Sequence, residues 1–323
     1  MMGNQIVVEQ MLVIFALILT GFGLYKSRHL SDETSGQLSW IIVNITNPIT
    51  LLCAALKEEN RVGIEEIGLA FACFALVYGV LIIVGLVLPL IIGVPEGDRY
   101  SYRMLATFNN VGFIGIPFCA AVLGTSSLIF VSICGIVFNL IAYTYGAGVI
   151  KKVALEQMSL NMSPDLGSRG FGAGGYGLKS AVNSGTVMGI VTIVVYITTL
   201  RVPGPVASAF SHVGNCTTFL SMAVLGVSVA KMVPREVFGR WRLYVFVIIR
   251  QILVPILIII LLKAFVRNEL LIRTVAVLLA MPSANLPLMM AKQYGVRDDT
   301  ISAGIILTTL ATVVTIPVVM GLM

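Results

Sequence analysis

Two segments of the chain carry amides, a hydroxyl and prolines where an unbroken apolar helix would carry leucine. The first reads Met104-Leu-Ala-Thr-Phe-Asn109-Asn110-Val-Gly112-Phe-Ile-Gly115-Ile-Pro117, the second Ala280-Met281-Pro282-Ser283-Ala284-Asn285-Leu286-Pro287. Proline removes a backbone donor and clashes with the preceding turn, and asparagine competes for backbone hydrogen bonds. Inside a bilayer the groups so freed need partners or a wet cavity. Pro117, Pro282 and Pro287 are therefore read as helix breakers. Two interrupted helices meeting near the midplane would aim positive N-terminal half-ends at an anion, and their exposed carbonyls could hold a cation. Asn109, Asn110, Gly112, Ser283 and Asn285 are the candidate ligands, because amides and hydroxyls coordinate an anion or a dehydrated ion without a buried charge. Each segment is followed by a glycine, Gly124 or Gly295, that opens a short turn. One such segment alone reads as a kinked structural helix; two at matching places in matching halves favour a site.

Arg250 is the one basic residue well inside an apolar run. A charge at that depth costs roughly 2.5–3.5 kcal/mol on insertion scales and is usually functional or paired. Its guanidinium could grip a carboxylate in bidentate fashion; equally, it could be satisfied by the carbonyls of a broken helix or snorkel toward the interface. Asn44 and Asn47 precede Pro48, where a kink would turn them inward, and Asn215, Thr217 and Thr218 hold a similar place later in the chain. Interhelical hydrogen bonding is the competing explanation for both sets. Asn139 and Tyr143 share a helix face by their spacing and are weaker candidates, as is His212 near a span end.

Other patterns carry less. No Asp or Glu falls mid-span, so a carboxylate proton relay at the midplane is unsupported. Gly172-Ala-Gly174-Gly-Tyr-Gly177 matches a dinucleotide fingerprint, but it lies in a Gly-rich loop without a preceding strand. The run Gly172 to Lys179-Ser180 fails phosphate-loop spacing. The five cysteines all fall in apolar runs and read as packing residues. With two histidines, neither a metalloprotease nor a serine-protease constellation can be built. The chain is therefore expected not to be an enzyme and to need no cofactor or metal, with Na+ or H+ as possible coupling ion; a sodium site would lie near Asn110 and Asn285.

The elements that must hold these residues follow from composition. Of 323 residues 58% are apolar and 11% are charged, where an ordinary soluble domain has about 25% charged. Mean hydropathy is +0.98. A soluble globule of this size needs a charged shell that these residues cannot supply, which leaves an all-α integral membrane protein. Ten apolar segments can be read, roughly 6–25, 36–56, 64–93, 101–123, 126–150, 179–200, 205–230, 242–265, 271–293 and 299–321. They divide as a first five-helix repeat over 1–150, a polar linker over 151–178 and a second repeat over 179–323. An odd number of spans per repeat inverts the second repeat, a common transporter design. The net charge of +6 comes from loops on one face rather than from a nucleic-acid surface. The poorer face holds only Lys57, Arg61, Arg201, Lys263, Arg267 and Arg273, so both termini are expected outside and the central loop in the cytoplasm. The first run lacks a basic start and is expected to stay as a span.

The two broken segments, together with Asn44-Ile-Thr-Asn47-Pro48 and Arg250-Gln-Ile-Leu-Val-Pro255, resemble the auxin efflux carrier family, in its bacterial branch of malate permease-like and malonate carrier-like proteins. The resemblance runs over essentially the whole chain. It implies the fold of bile-acid sodium symporters, with spans 1, 2, 6 and 7 as a scaffold, spans 3–5 and 8–10 as a moving transport domain, and substrate where spans 4 and 9 cross. It also implies elevator-type alternating access and a homodimer through scaffold helices, as in the plant relatives. The expected activity is secondary transport of small organic anions, malate- or malonate-like, across the inner (plasma) membrane. Carriers of amphipathic acids, auxin-like or bile-acid-like, are the main alternative; a channel or a receptor is weaker.

Overall fold

Prolines and glycines decide where these apolar helices run straight and where they give way. In the computed structural model, which describes residues 2–56, 61–161, 178–200, 202–231, 237 and 239–321, α1 is Met2–Lys26 and the next span is α2 Asp32–Ile41 joined to α3 Asn47–Leu56. Then come α4 Ile64–Ile91, α5 Arg99–Thr107, α6 Ile116–Val122, α7 Leu128–Ile141 and α8 Ala147–Asn161. The second half holds α9 Ser184–Thr198, α10 Gly204–Ala230, α11 Trp241–Ile248, α12 Val254–Phe265, α13 Glu269–Ala280, α14 Leu286–Gln293 and α15 Asp299–Gly321. The run 172–177 and residues Lys57 and Arg201, all used in the sequence reading, lie outside the described residues.

Seven of the described helices are long and apolar enough to cross a membrane: Glu9–Lys26, Asp32–Leu56, Ile64–Ile91, Thr125–Gln157, Gly204–Ala230, Trp241–Phe265 and Asp299–Gly321. The other three expected segments are shorter or interrupted. The one at 179–200 begins its helix only at Ser184, where Asn183 Oδ1 accepts from Thr186 N (3.2 Å) as an N-cap. Those at 101–123 and 271–293 each break at mid-length. The expected linker also starts later than 151: α8 continues to Asn161, because Lys151–Gln157 consists of residues with good helix propensity apart from Val153.

Helical turns one residue wider than α join α2 to α3 (Ile42–Thr46), lead into α6 (Val111–Gly115) and join α11 to α12 (Ile249–Leu253). Each is followed by X-Pro: Asn47-Pro48, Ile116-Pro117 and Val254-Pro255. The proline has no N–H for the carbonyl four residues back, and the wide turn absorbs the misfit. A similar turn at Ala142–Gly146 has no proline behind it; there Gly146 lies against the Phe108 ring, which a Cβ would approach to 2.9 Å.

Among the described residues, α1 packs most extensively on α10. A Cβ on Gly21 would stand 2.2 Å from Ala223 O, and one on Gly226 would stand 2.2 Å from Ile18 O, so the backbones cross at glycine contact. The α2–α3 span also packs on α10 and runs antiparallel to it. At one end Lys231 pairs with Asp32 (2.5 Å), which also accepts from Tyr25 OH (3.1 Å). At the other end Thr50 Oγ1 donates to Gly214 O (3.1 Å) and meets Thr217 Oγ1 (2.8 Å). Because backbone atoms cannot yield as a flexible side chain can, Gly226→Ala is expected to cost about 1–3 kcal/mol. Thermal unfolding in detergent should show a lower midpoint for it and no change for Gly23→Ala, where a Cβ meets open space.

Candidate functional site

The first broken segment ends α5 at Thr107, passes through extended Phe108 and resumes as a helical turn at Val111. The second ends α13 at Ala280, turns extended at Met281 and resumes as α14 at Leu286. The two breaks meet and pair as a short antiparallel bridge, Asn109 opposite Ser283. Asn110 N donates to Pro282 O (2.7 Å) and Ala284 N to Phe108 O (2.8 Å). Two segments that each lost helical hydrogen bonds thus recover some from one another.

A helix end leaves its last carbonyls without intrahelical partners, and here side chains supply them. Ser283 Oγ donates to Leu105 O (2.8 Å), and Asn109 Nδ2 donates to Leu278 O (2.6 Å). Arg250 reaches both breaks: Nε to Ala106 O (3.4 Å), Nη1 to Leu279 O (2.8 Å) and Met281 O (3.0 Å), and Nη2 to Asn109 Oδ1. Gln251 Nε2 donates to Thr308 O (3.1 Å) and Ala280 O (3.5 Å). The wide turn before Pro255 carries Arg250 and Gln251, and both are 0% exposed. Ser283 N in turn donates to Thr308 Oγ1 on α15 (3.1 Å).

Asn110 belongs to the other side of the bridge, since successive residues in an extended stretch point to opposite faces. Its Oδ1 caps the resumed helix by accepting from Phe113 N (3.0 Å), which leaves Nδ2 buried and unpartnered. Asn47 Nδ2 donates to Gly112 O (3.1 Å), and its Oδ1 is likewise buried without a partner, as are Thr46 Oγ1 and Ser221 Oγ. All four lie on elements that pack against one another: Asn47 bonds to the turn that Asn110 caps, and the α2–α3 span packs on α10. Ser221 lies one turn beyond Thr217 and Thr46 one turn before Thr50, so the antiparallel pairing sets Ser221 level with Thr46. The same helix, α10, packs against Val111–Gly115.

Of the sequence candidates, Asn47 and Gly112 therefore meet where the Val111–Gly115 turn packs on α10, and Asn110 caps that same turn. Asn109, Ser283 and Arg250 are spent on the crossover itself; Arg250 has the geometry of an arginine satisfied by the carbonyls of broken helices. Asn44 donates to Trp40 O in its own span (2.9 Å). Asn285 is partly exposed and caps nothing, while Asn215 and His212 are exposed on α10. Asn139 sits beside Gly185 at the start of α9, and Tyr143 lies within the wide turn at Ala142–Gly146. Pro282 lies within the break, Pro287 in the first turn of α14 and Pro117 in that of α6. Sequence reading missed Thr46, Ser221, Gln251 and Thr308. Gln251 carried a signal, an amide beside an arginine at bilayer depth; single Ser and Thr residues are too common in membrane helices to stand out.

Removing the hydroxyl that holds Ser283 N should leave that donor buried and unsatisfied, at about 1–3 kcal/mol. Thr308→Val is accordingly expected to lower the thermal midpoint in detergent, whereas Thr315→Val, whose hydroxyl is already buried without a partner, should not.

The sequence matches the model of the membrane transport protein family over residues 6–167 and 178–320. A search of curated proteins finds no match. That match covers nearly all of the chain, including both broken helices and the wide turn at Arg250. This multi-pass membrane protein therefore belongs to the membrane transport protein family, a family of transporters rather than enzymes that includes the auxin efflux carriers.

Proposed function

We propose that the chain is a secondary transporter of small organic anions, malate- or malonate-like, with substrate bound between the crossover and the α2–α3 and α10 spans. The observation that carries this reading is the set of buried, unpartnered polar atoms on that face: Asn110 Nδ2, Asn47 Oδ1, Thr46 Oγ1 and Ser221 Oγ. Buried polar groups are nearly always hydrogen-bonded, so a cluster without partners points to a missing one. The amide hydrogens and hydroxyls suit carboxylate oxygens, and Asn47 Oδ1 suits a hydroxyl such as that of a 2-hydroxy acid. The half-helix starting at Val111 turns its positive end toward the same place.

Ten spans in a 5+5 inverted repeat fit the element order, each half holding one helix broken at its fourth position. The scaffold of spans 1, 2, 6 and 7 is supported by the packing of α1 on α10, α10 on α3 and α3 on α9. The transport domain is supported by α4 with α5 and α7, and by α15 with α5, α11 and α13. Sliding of one set past the other gives elevator-type alternating access, with α7–α9 and α1–α15 as the seam. The positive-inside rule orients the molecule with both termini outside and the central loop cytoplasmic, in the plasma (inner) membrane. The partners are then the anion, the bilayer and a second copy docked through scaffold helices, with no nucleic acid and no organic cofactor.

A second reading rests on an apolar cavity of about 120 Å³ between α1 and α15, walled by Met11, Ile14, Ile18, Leu310 and Val313 and reaching Ile114 beside the crossover. It would seat the ring system of an amphipathic acid.

Counterflow of labelled L-malate in proteoliposomes separates the readings. Label is expected to accumulate and to be competed by malonate more strongly than by indole-3-acetate. The reverse order would favour the amphipathic acid, and no accumulation with any of the acids would remove the anion carrier. Asn110→Ser keeps an N-cap oxygen but loses the free amide. It should cut malate counterflow about tenfold, the worth of one good hydrogen bond, with an unchanged melting midpoint. Wild-type rates in both Asn110→Ser and Asn47→Ala would remove the site.

A further inference from the structure

Arg250 is the largest fully buried side chain among the described residues. Its acceptors are the carbonyls of Ala106, Leu279 and Met281 and the side-chain oxygen of Asn109. All four are neutral, they come from both broken helices, and they converge on one cation. Backbone carbonyls and amide oxygens at interrupted helices form the donor set by which transporters hold a coupling sodium ion, and hard cations in general select such oxygens. Here a guanidinium fills that set. It stays protonated in proteins, and because no partner is a carboxylate its charge is not cancelled locally.

Position matters as much as charge. Asn109 turns toward Arg250 while Asn110 turns to the opposite face, so the guanidinium stands behind the bridge and does not touch a substrate in front of it. Its positive potential acts across one backbone layer, together with the positive end of the half-helix at Val111. On the anion-carrier reading, on which this inference rests, the bound anion already has a counter-charge that travels with both half-helices.

We propose that Arg250 is a resident cation: it occupies the carbonyl cage that a coupling sodium ion would otherwise need, and the chain moves its anion without sodium. Arg250 is on this account a positioning residue that sets anion affinity through charge.

The test starts from the wild-type protein. Its thermal midpoint in detergent should be the same in sodium chloride and in choline chloride between about 1 and 100 mM, and a saturable rise specific to sodium would overturn the proposal. Malate counterflow should likewise differ by less than about twofold when choline replaces sodium, since a coupled cation changes anion affinity roughly 5–150-fold. Loss of counterflow in choline alone would overturn the resident cation and leave the anion carrier standing. Absence of counterflow in both salts would remove the carrier reading, and the melting comparison would still decide the cage. Two variants separate charge from hydrogen bonding. Arg250→Lys and Arg250→Gln both break up the guanidinium contacts, but only lysine keeps the charge. Arg250→Lys should hold the malate KM within about threefold of wild type and Arg250→Gln should raise it at least about tenfold; equal KM values in the two would overturn the proposal. Guanidinium chloride at about 10 mM should raise the midpoint of Arg250→Ala and not that of the wild type.

Discussion

A helix interrupted inside a bilayer leaves carbonyls that no water will satisfy, and this chain has two such interruptions at the same place. The rest of the architecture follows from how those carbonyls are met. The breaks pair with each other through Asn110 N and Ala284 N, which recovers two bonds and fixes the crossing. The remaining acceptors need side chains that reach both strands at once. A planar fork of donors does this better than any single amide, and Arg250 takes three carbonyls and one side-chain oxygen. Gln251 and Ser283 cover the next carbonyls on either side. Arg250 and Gln251 can both face the crossover because the turn that carries them is widened ahead of Pro255.

The two faces of the bridge differ in kind. Behind it, Arg250, Ser283 and Thr308 are bonded into the crossover, although Gln251 Oε1, Thr315 Oγ1 and Arg242 Nε on α11 and α15 and the turn between α11 and α12 lack partners. In front, toward α3 and α10, several are left open. A well-satisfied network rigidifies its surroundings, while unpartnered buried groups are costly unless a ligand completes them. The helices in front are themselves held firmly: α1 and α10 cross at Gly21 and Gly226, and Lys231, Asp32 and Tyr25 tie their ends. On the proposed reading a rigid frame and a rigid crossover thus face each other across a layer whose hydrogen bonding includes Asn47 to Gly112. Such a layer can be broken and remade without unfolding either side.

Much of this was legible in the sequence, and what was not has physical causes. Asn109, Asn110 and Pro282 marked the breaks because proline and asparagine disturb a membrane helix wherever they fall. The direction in which each amide points was not legible. Asn109 and Asn110 differ by one position, yet in an extended bridge one position reverses the face, so two adjacent asparagines bond to different elements. The partners of Arg250 depend on the phase of α11 after a widened turn, which periodicity counting at 3.6 residues per turn does not register. Thr46 and Ser221 are placed by the antiparallel match of two helices distant in sequence. Polarity alone does not mark the end of a helix: α8 runs on past 151, where Lys152 and Glu156 stand one turn apart and pair on it (3.9 Å).

The scarcity of acidic groups follows from the same constraint. A mid-membrane carboxylate near the crossover would pair with Arg250, pull it off the carbonyls of Leu279 and Met281 and leave them exposed to an apolar interior. Neutral amides and hydroxyls avoid that conflict. They satisfy the breaks, leave the guanidinium charge uncancelled and still present donors on the open face. On the proposed reading, a site assembled in this way would draw its positive character from backbone dipoles and one shielded arginine rather than from a cluster of exposed cations, and would hold an anion weakly enough to release it. On that reading, release on the far side favours shielded charge over exposed cations, because an anion paired directly with a cation at low dielectric would be held too tightly to leave.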